Sequence, residues 1–314
     1  MRRAFSDALL KLAQDDPSVI FLTGDLGFGV FDAFIAEFPK RYVNVGVAEA
    51  QLVDCAAGLA LEGWRPIVYS IASFMTGRAF EQIRLAVGYH RLPVVVVGAG
   101  GGYTYAHAGV THHAKEDLAL MALIPNMTVV CPGDPNEVSA LLPQLSRMSG
   151  PSYLRVGRFG EPRFESPAPI QVGQARLLRD GERIAVLTTG GSAVHALAAA
   201  DKLAEAGMRP SVCHFHTVRP IDTAALDALA ARAEVFVLVE EHGLQGGLAA
   251  AVSQWCAFRG QLPRRILRLG PSDELVVGNP KQHELQHRLG FDTDAIIAAC
   301  RELWSPAVIR KAAP

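Results

Sequence analysis

The sequence has 314 residues, more than one typical core holds, which points to two domains. Half of it is hydrophobic, 19% is charged and the net charge is −1, so neither a basic nucleic-acid surface nor an acidic solvating tail is indicated. The cysteines Cys55, Cys131, Cys213, Cys256 and Cys300 are scattered without a CxxC pair, and no apolar stretch has membrane-spanning or signal-peptide character; a reducing, cytoplasmic compartment is expected.

In chain order, the pattern predicts strands at Val19–Thr23, Tyr42–Val45, Pro66–Tyr69, Pro93–Val97 and Thr128–Cys131. Helices are expected near Ala4–Gln14, Phe31–Phe38, Ala48–Leu61, Gly77–Tyr89 and Asp134–Arg147. The strands are short, β-branched and apolar on both faces, as in a parallel sheet covered by helices. Phe159–Val172, with Pro162, Pro167 and Pro169, reads as an interdomain linker. A second alternation follows: strand Ile184–Leu187, helix Ser192–Ala206, strand Ser211–His216, helix Thr223–Arg232, strand Val235–Val239, helix Gly247–Phe258, strand Arg265–Leu269 and helix Asp294–Leu303. The fold class is α/β, two doubly wound domains: 1–160, a linker at 161–172, a smaller domain at 173–305 and a loose tail at 306–314.

Ligands of open parallel sheets sit beyond the carboxyl ends of the strands. The loops to inspect are therefore Gly24–Gly29, Gly46–Glu49, Ser70–Phe74, Gly98–His113, Thr188–Ser192 and Glu240–Gly247. In Asn44-Val45-Gly46-Val47-Ala48-Glu49-Ala50 a strand ends, a glycine turns the chain and an acid opens a helix. Taken alone, such an acid complements the helix dipole. The loop Gly98–His113 is glycine-rich but lacks the Lys-Ser/Thr of a phosphate-binding P-loop. Its His107, His112 and His113 fit no ligand spacing, so no metal is assigned to this chain.

Taken in order, the motifs resemble the transketolase family. Asn44–Glu49 is similar to the segment carrying that family's universal glutamate, and Thr23-Gly24-Asp25-Leu26 to its early Ala-Asp-Leu turn. Ser73–Arg84 resembles its aromatic helix, and Thr111-His112-His113, Glu116-Asp117, Ile124-Pro125-Asn126 and Pro132–Pro135 follow its later pattern. Gly150–Arg155 is similar to its Gly-Pro-Ser strand entry, and Arg219–Asp222 and Glu240–Leu248 resemble its C-terminal domain. The resemblance runs from the first residues to about residue 300.

The resemblance implies thiamine diphosphate as cofactor. In that family a carboxyl group hydrogen-bonds the aminopyrimidine and favours the tautomer that deprotonates the thiazolium; Glu49 takes this role here. Burial against an apolar ring favours the protonated carboxyl and the helix N-terminus opposes it. Phe74 or Phe80 would stack on the pyrimidine, the other forming pocket wall; Leu26 would be an apolar wedge, Asp25 a structural cap, and Arg78 a further residue at the cofactor. Phe74 and Phe80 lie six apart, off one helical face, so both line the pocket only if Phe74 sits at or before the helix start. His112 occupies the family's Thr-His position at the substrate oxygens, where neutral imidazole suits hydrogen bonding and proton transfer. Arg2 and Arg158 fall where phosphate-binding arginines are placed. The sequence departs from the family at Ala106-His107-Ala108-Gly109, where Ala108 replaces an aspartate that meets a sugar hydroxyl; His107 is the substitute, and a different donor or acceptor follows.

The family's Gly-Asp-Gly motif for Mg²⁺ and the diphosphate is missing. The resemblance therefore implies a partner subunit of the transketolase N-terminal type that holds both, in an α2β2 assembly. The implied reaction is ketol transfer between sugars or sugar phosphates. The alternatives are the E1 β subunit of a 2-oxoacid dehydrogenase, a 1-deoxyxylulose-5-phosphate-synthase-like carboligase, or a non-catalytic scaffold.

Overall fold

The computed structural model describes residues 1–158, 160–165, 168–259 and 262–304; the expected tail at 306–314 lies outside them. In the first half, strands β1 (Val19–Thr23), β2 (Tyr42–Asn44), β3 (Arg65–Ile71), β4 (Val95–Ala99), β5 (Thr128–Val130) and β6 (Ser152–Val156) alternate with helices. These are α1 (Arg2–Asp15), α2 (Asp32–Glu37), α3 (Glu49–Leu61), α4 (Ala72–Arg78), α5 (Phe80–Gln82), α6 (Asp117–Ala122) and α7 (Pro135–Arg147). The second half contributes β7 (Arg176–Arg179), β8 (Arg183–Thr188), β9 (Ser211–His214), β10 (Thr217–Arg219), β11 (Ala233–Val239) and β12 (Arg265–Leu269). Its helices are α8 (Ser192–Glu205), α9 (Thr223–Ala230), α10 (Leu248–Ala257), α11 (Gln282–Arg288) and α12 (Thr293–Trp304).

Two sheets result, ordered β10-β5-β6-β4-β3-β1-β2 and β12-β11-β8-β9-β7. The first is parallel except for β10, which crosses from the second half to pair antiparallel with β5. The second is parallel except for β7 on β9. Strands β1, β4, β5 and β6 are buried throughout, which explains their largely apolar sequence, and the buried Arg155 of β6 is paired with Asp117. Helix α1 buries Phe5, Leu9, Leu12 and Ala13 at helical spacing against one face of the first sheet. Helix α3 covers the other face with Leu52, Val53, Ala56, Ala57 and Ala60.

The expected single helix Gly77–Tyr89 is broken. Helix α4 ends before Ala79, whose backbone (φ −101°, ψ 15°) leaves the helical region, and Ile83–Tyr89 continues as a π-helical segment. The expected strand Ser211–His216 ends at His214 as β9, and an unexpected strand, β10, follows it in the other sheet.

The halves are joined by buried polar contacts. Asp134 caps α7, accepting from Glu137 N at 2.9 Å, and its other oxygen accepts from Phe164 N at 2.6 Å. Glu137 accepts from Arg176 Nη1 at 2.6 Å and lies 3.1 Å from His214 Nε2. Burial raises the Glu137 carboxyl, but His214, His216 and the Gly133 N–H outweigh it and hold it at about 2. Among the described residues, no helix is long and apolar enough to cross a membrane.

Candidate active site

Strands β2 and β3 lie on opposite sides of β1, so the sheet order reverses at β1 and opens a crevice at the carboxyl ends. Leu26, Glu49, Phe74 and Arg78, His107 and His112, and Arg158 follow β1, β2, β3, β4 and β6 respectively, all at that edge. Arg2 joins them because its backbone N–H donates to Arg158 O at 3.1 Å.

Glu49 is the first residue of α3. Gly46 makes the preceding turn at φ 76°, a left-handed conformation that glycine adopts without strain. Glu49 also occupies position i of the buried stripe Leu52, Val53, Ala56, Ala57 and Ala60, so the helical period carries the carboxylate inward; it is 3% exposed. Ser70 Oγ donates to Oε1 at 3.3 Å and Arg78 Nη1 to Oε2 at 3.1 Å. Arg78 is 54% exposed and lies over the Phe74 ring, 4.2 Å from its centroid. The opposite neighbour of Phe74 is His112, in edge contact at 4.9 Å.

His112 shares a 2.9 Å hydrogen bond with Thr111 Oγ1. Burial, then His107 and Arg78, push its imidazole below the ordinary value, favouring the neutral ring at pH 7. Tyr105 is central to the remaining residues. Its ring is 6.3 Å from His107 and 6.2 Å from His112, Arg158 lies 5.8 Å from its centroid, and Arg2 Nη2 donates to its hydroxyl. A cavity of about 510 Å³ opens between the domains beside this group, lined in part by His107, Arg158, Thr189, His195 and Lys281.

Glu49, Arg78, Phe74, His112, Tyr105, His107, Arg158 and Arg2 thus form one chain of contacts. Phe80 and Leu26 are not in it: Phe80 packs against the core under α3, and Leu26 against the core under α1. Asp25 is tied to the β2 loop by Asn44, whose Nδ2 donates to Asp25 Oδ1 at 3.0 Å. Sequence reasoning missed Tyr105 and Ser70. The Tyr103-Thr104-Tyr105 triplet inside a glycine-rich loop was the available signal for Tyr105; Ser70 carried none, since a serine within an apolar strand is common.

The model of the pyrimidine-binding domain of transketolase matches residues 1–159, and that of the transketolase C-terminal domain matches residues 173–296. The chain belongs to the transketolase family. A transketolase-family relative from Clostridium sp. (strain MSTE9), named 6-deoxy-6-sulfo-D-fructose transketolase subunit SqwH, is 35% identical over 96% of this chain and 94% of its own length. A 1-deoxy-D-xylulose-5-phosphate synthase 1 of Geobacter sulfurreducens is also 35% identical, over 94% of this chain but 46% of that protein. Among solved structures, one described as a split gene transketolase, inactive β4 tetramer, superposes with a TM-score of 0.86 at 31% identity, covering 96% of this chain and 97% of that one. Transketolase-family membership brings thiamine diphosphate dependence with it. The residues fit that cofactor's pyrimidine: a buried carboxylate stands beside an aromatic ring, and the group between them is a half-exposed arginine on a flexible stem.

Proposed function

We propose that this chain is the pyrimidine-binding half of a split, thiamine-diphosphate-dependent transketolase that moves a ketol unit between sugar or sugar-phosphate substrates. The observation that carries the reading is Glu49: a carboxylate placed inside an apolar helical stripe and paired with Arg78, which in turn lies over the Phe74 ring. Burying an acid is costly unless it is paired, and here Ser70 and a half-exposed Arg78 pair it. When bound, thiamine diphosphate supplies the carbon centre that stabilises negative charge, which no side chain offers. Glu49 would hold or release a proton at the pyrimidine. Phe74 would give the ring a flat apolar surface. Arg78 would release Glu49 to admit it and would lie near the bound ring. His112 would exchange protons with substrate oxygens, His107 would meet the position left by Ala108, and Arg158 with Arg2 would bind a terminal anion.

The diphosphate and Mg²⁺ are assigned to a partner of the transketolase N-terminal type, in an α2β2 enzyme. Two observations support this: the relative named as a subunit together with the solved structure described as an inactive β4 tetramer, and the exposed apolar side chains beside Glu49. Phe28 and Val47, on the loops after β1 and β2, are 80% and 71% exposed, as a surface awaiting a partner would be. The relative named as a synthase favours one second reading, a 1-deoxyxylulose-5-phosphate-synthase-like carboligase.

Reconstitution with an N-terminal-type partner tests both. Glu49→Gln is expected to lower thiamine-dependent turnover by at least about 100-fold, the scale of a lost general acid–base group. Full activity in that variant refutes the assignment. Turnover with pyruvate but not with ketoses moves the chain to the carboligase class.

A further inference from the structure

The loop between β4 and α6, which carries Tyr105, His107 and His112, belongs to the first domain by sequence but is packed by the second. Its Tyr103 and Ala106 are buried in the same apolar cluster as Val276, Leu285 and Phe291 of the second domain. The Glu241 carboxylate accepts from Tyr103 N at 2.7 Å and is held by Gln282 Nε2 at 3.1 Å and Gln286 Nε2 at 3.2 Å. Gly102 has φ 62°, and a Cβ there would lie 2.6 Å from Glu241 Cγ, so the loop is shaped around this side chain. At the far end of the turn, Asn279 Nδ2 donates to His107 O at 2.9 Å. The loop's base is closed by the Gly102–Ala114 pair and by Gly243 N donating to Lys115 O at 2.6 Å.

We propose that Glu241 and Asn279 are positioning residues of the second domain that set the substrate loop, and through it His107 and His112, before substrate arrives. Neither lies in the contact chain from Glu49 to Arg2, so their effect should fall on the substrate and not on cofactor activation. The buried Glu241 carboxylate accepts three donors at once. A glutamine cannot accept all three, because one of its termini is itself a donor. Asn279 is exposed, so its truncation to alanine is expected to leave the fold intact. The kinetic half of the proposal rests on the ketol-transfer reading; the structural half does not.

The full chain is to be compared with Asn279→Ala and Glu241→Gln by hydrogen exchange, alone and with its partner subunit. Amides of residues 103–112 are expected to exchange about ten-fold faster in both variants, the scale of one lost hydrogen bond. In the reconstituted enzyme, KM for the sugar should rise about ten-fold while exchange of the bound cofactor's thiazolium proton stays within about two-fold of the parent. Unchanged loop exchange, or a thiazolium exchange rate that falls with turnover, overturns the proposal. If the parent chain shows no thiamine-dependent turnover with any partner, the ketol-transfer reading fails, and loop exchange alone decides the role of Glu241 and Asn279.

Discussion

Phe74 and Phe80 open the same helical stretch and end in different places. Phe74 faces the crevice between Arg78 and His112, whereas Phe80 lies beyond the break at Ala79 and packs on the core. Phe74→Ala should weaken cofactor binding about ten-fold, the value of one stacking surface, and leave the unfolding midpoint near the parent. Phe80→Ala should do the reverse, lowering stability by about 2–4 kcal/mol with cofactor affinity kept in the folded fraction. Titration calorimetry and urea unfolding on both variants separate the two; equal losses of affinity would contradict the placement. At this scale the place of Glu49 at a helix start was legible in the sequence, while its burial follows from the apolar stripe that begins with it. Which phenylalanine meets the crevice was not legible, because that depends on one backbone kink at an alanine. Glu241 and Asn279 were also hidden: they act on residues 138 and 172 positions away, and spacing carries no information at that range.

Among the elements, the alternation of apolar strands and amphipathic helices was readable because burial on both faces leaves a continuous signature. Two kinds of element escaped it. Strands β7 and β10 are edge strands of four and three residues, too short for a period, and the π-helical segment after Ala79 keeps a helical composition while changing its hydrogen bonding. Helix α7 shows an element fixed at its first residue. Asp134 serves as the N-cap and also receives Phe164 N from the linker, so one carboxylate starts a helix and anchors the crossing between domains. Asp134→Ala should cost about 2–4 kcal/mol, a cap together with a charge-assisted bond, and Asp134→Asn distinctly less. Urea midpoints for the two variants check this; a loss below that of an ordinary cap would show that the linker contact contributes nothing.

For the molecule as a whole, the contact between domains includes buried titratable groups beside its apolar part, and acid is expected to weaken it. Burial pushes His216 down to about 4 against the pull of Glu137, and burial with Arg155 nearby pushes His242 down to about 4. Each folded-state value lies below the ordinary 6.5, so each histidine contributes stability in full above that value and loses it as pH falls from 6.5 toward 4. At pH 5 the loss is about 2 kcal/mol for each. Glu137, at about 2, gives the same sign in a lower window, from its ordinary 4.5 downward. The unfolding midpoint should therefore drop between pH 7 and pH 5, and His216→Gln should flatten part of that slope; a parent midpoint constant over this range would contradict the assignment. The crossing strand β10 has a consequence of another kind. Residues 217–219 complete the edge of a sheet whose other strands end at residue 156, so during synthesis the β5 edge stays open while more than sixty further residues emerge. A nascent or truncated first half presents that edge to any neighbouring copy, and the chain becomes safe from edge-to-edge association only when its second half has arrived.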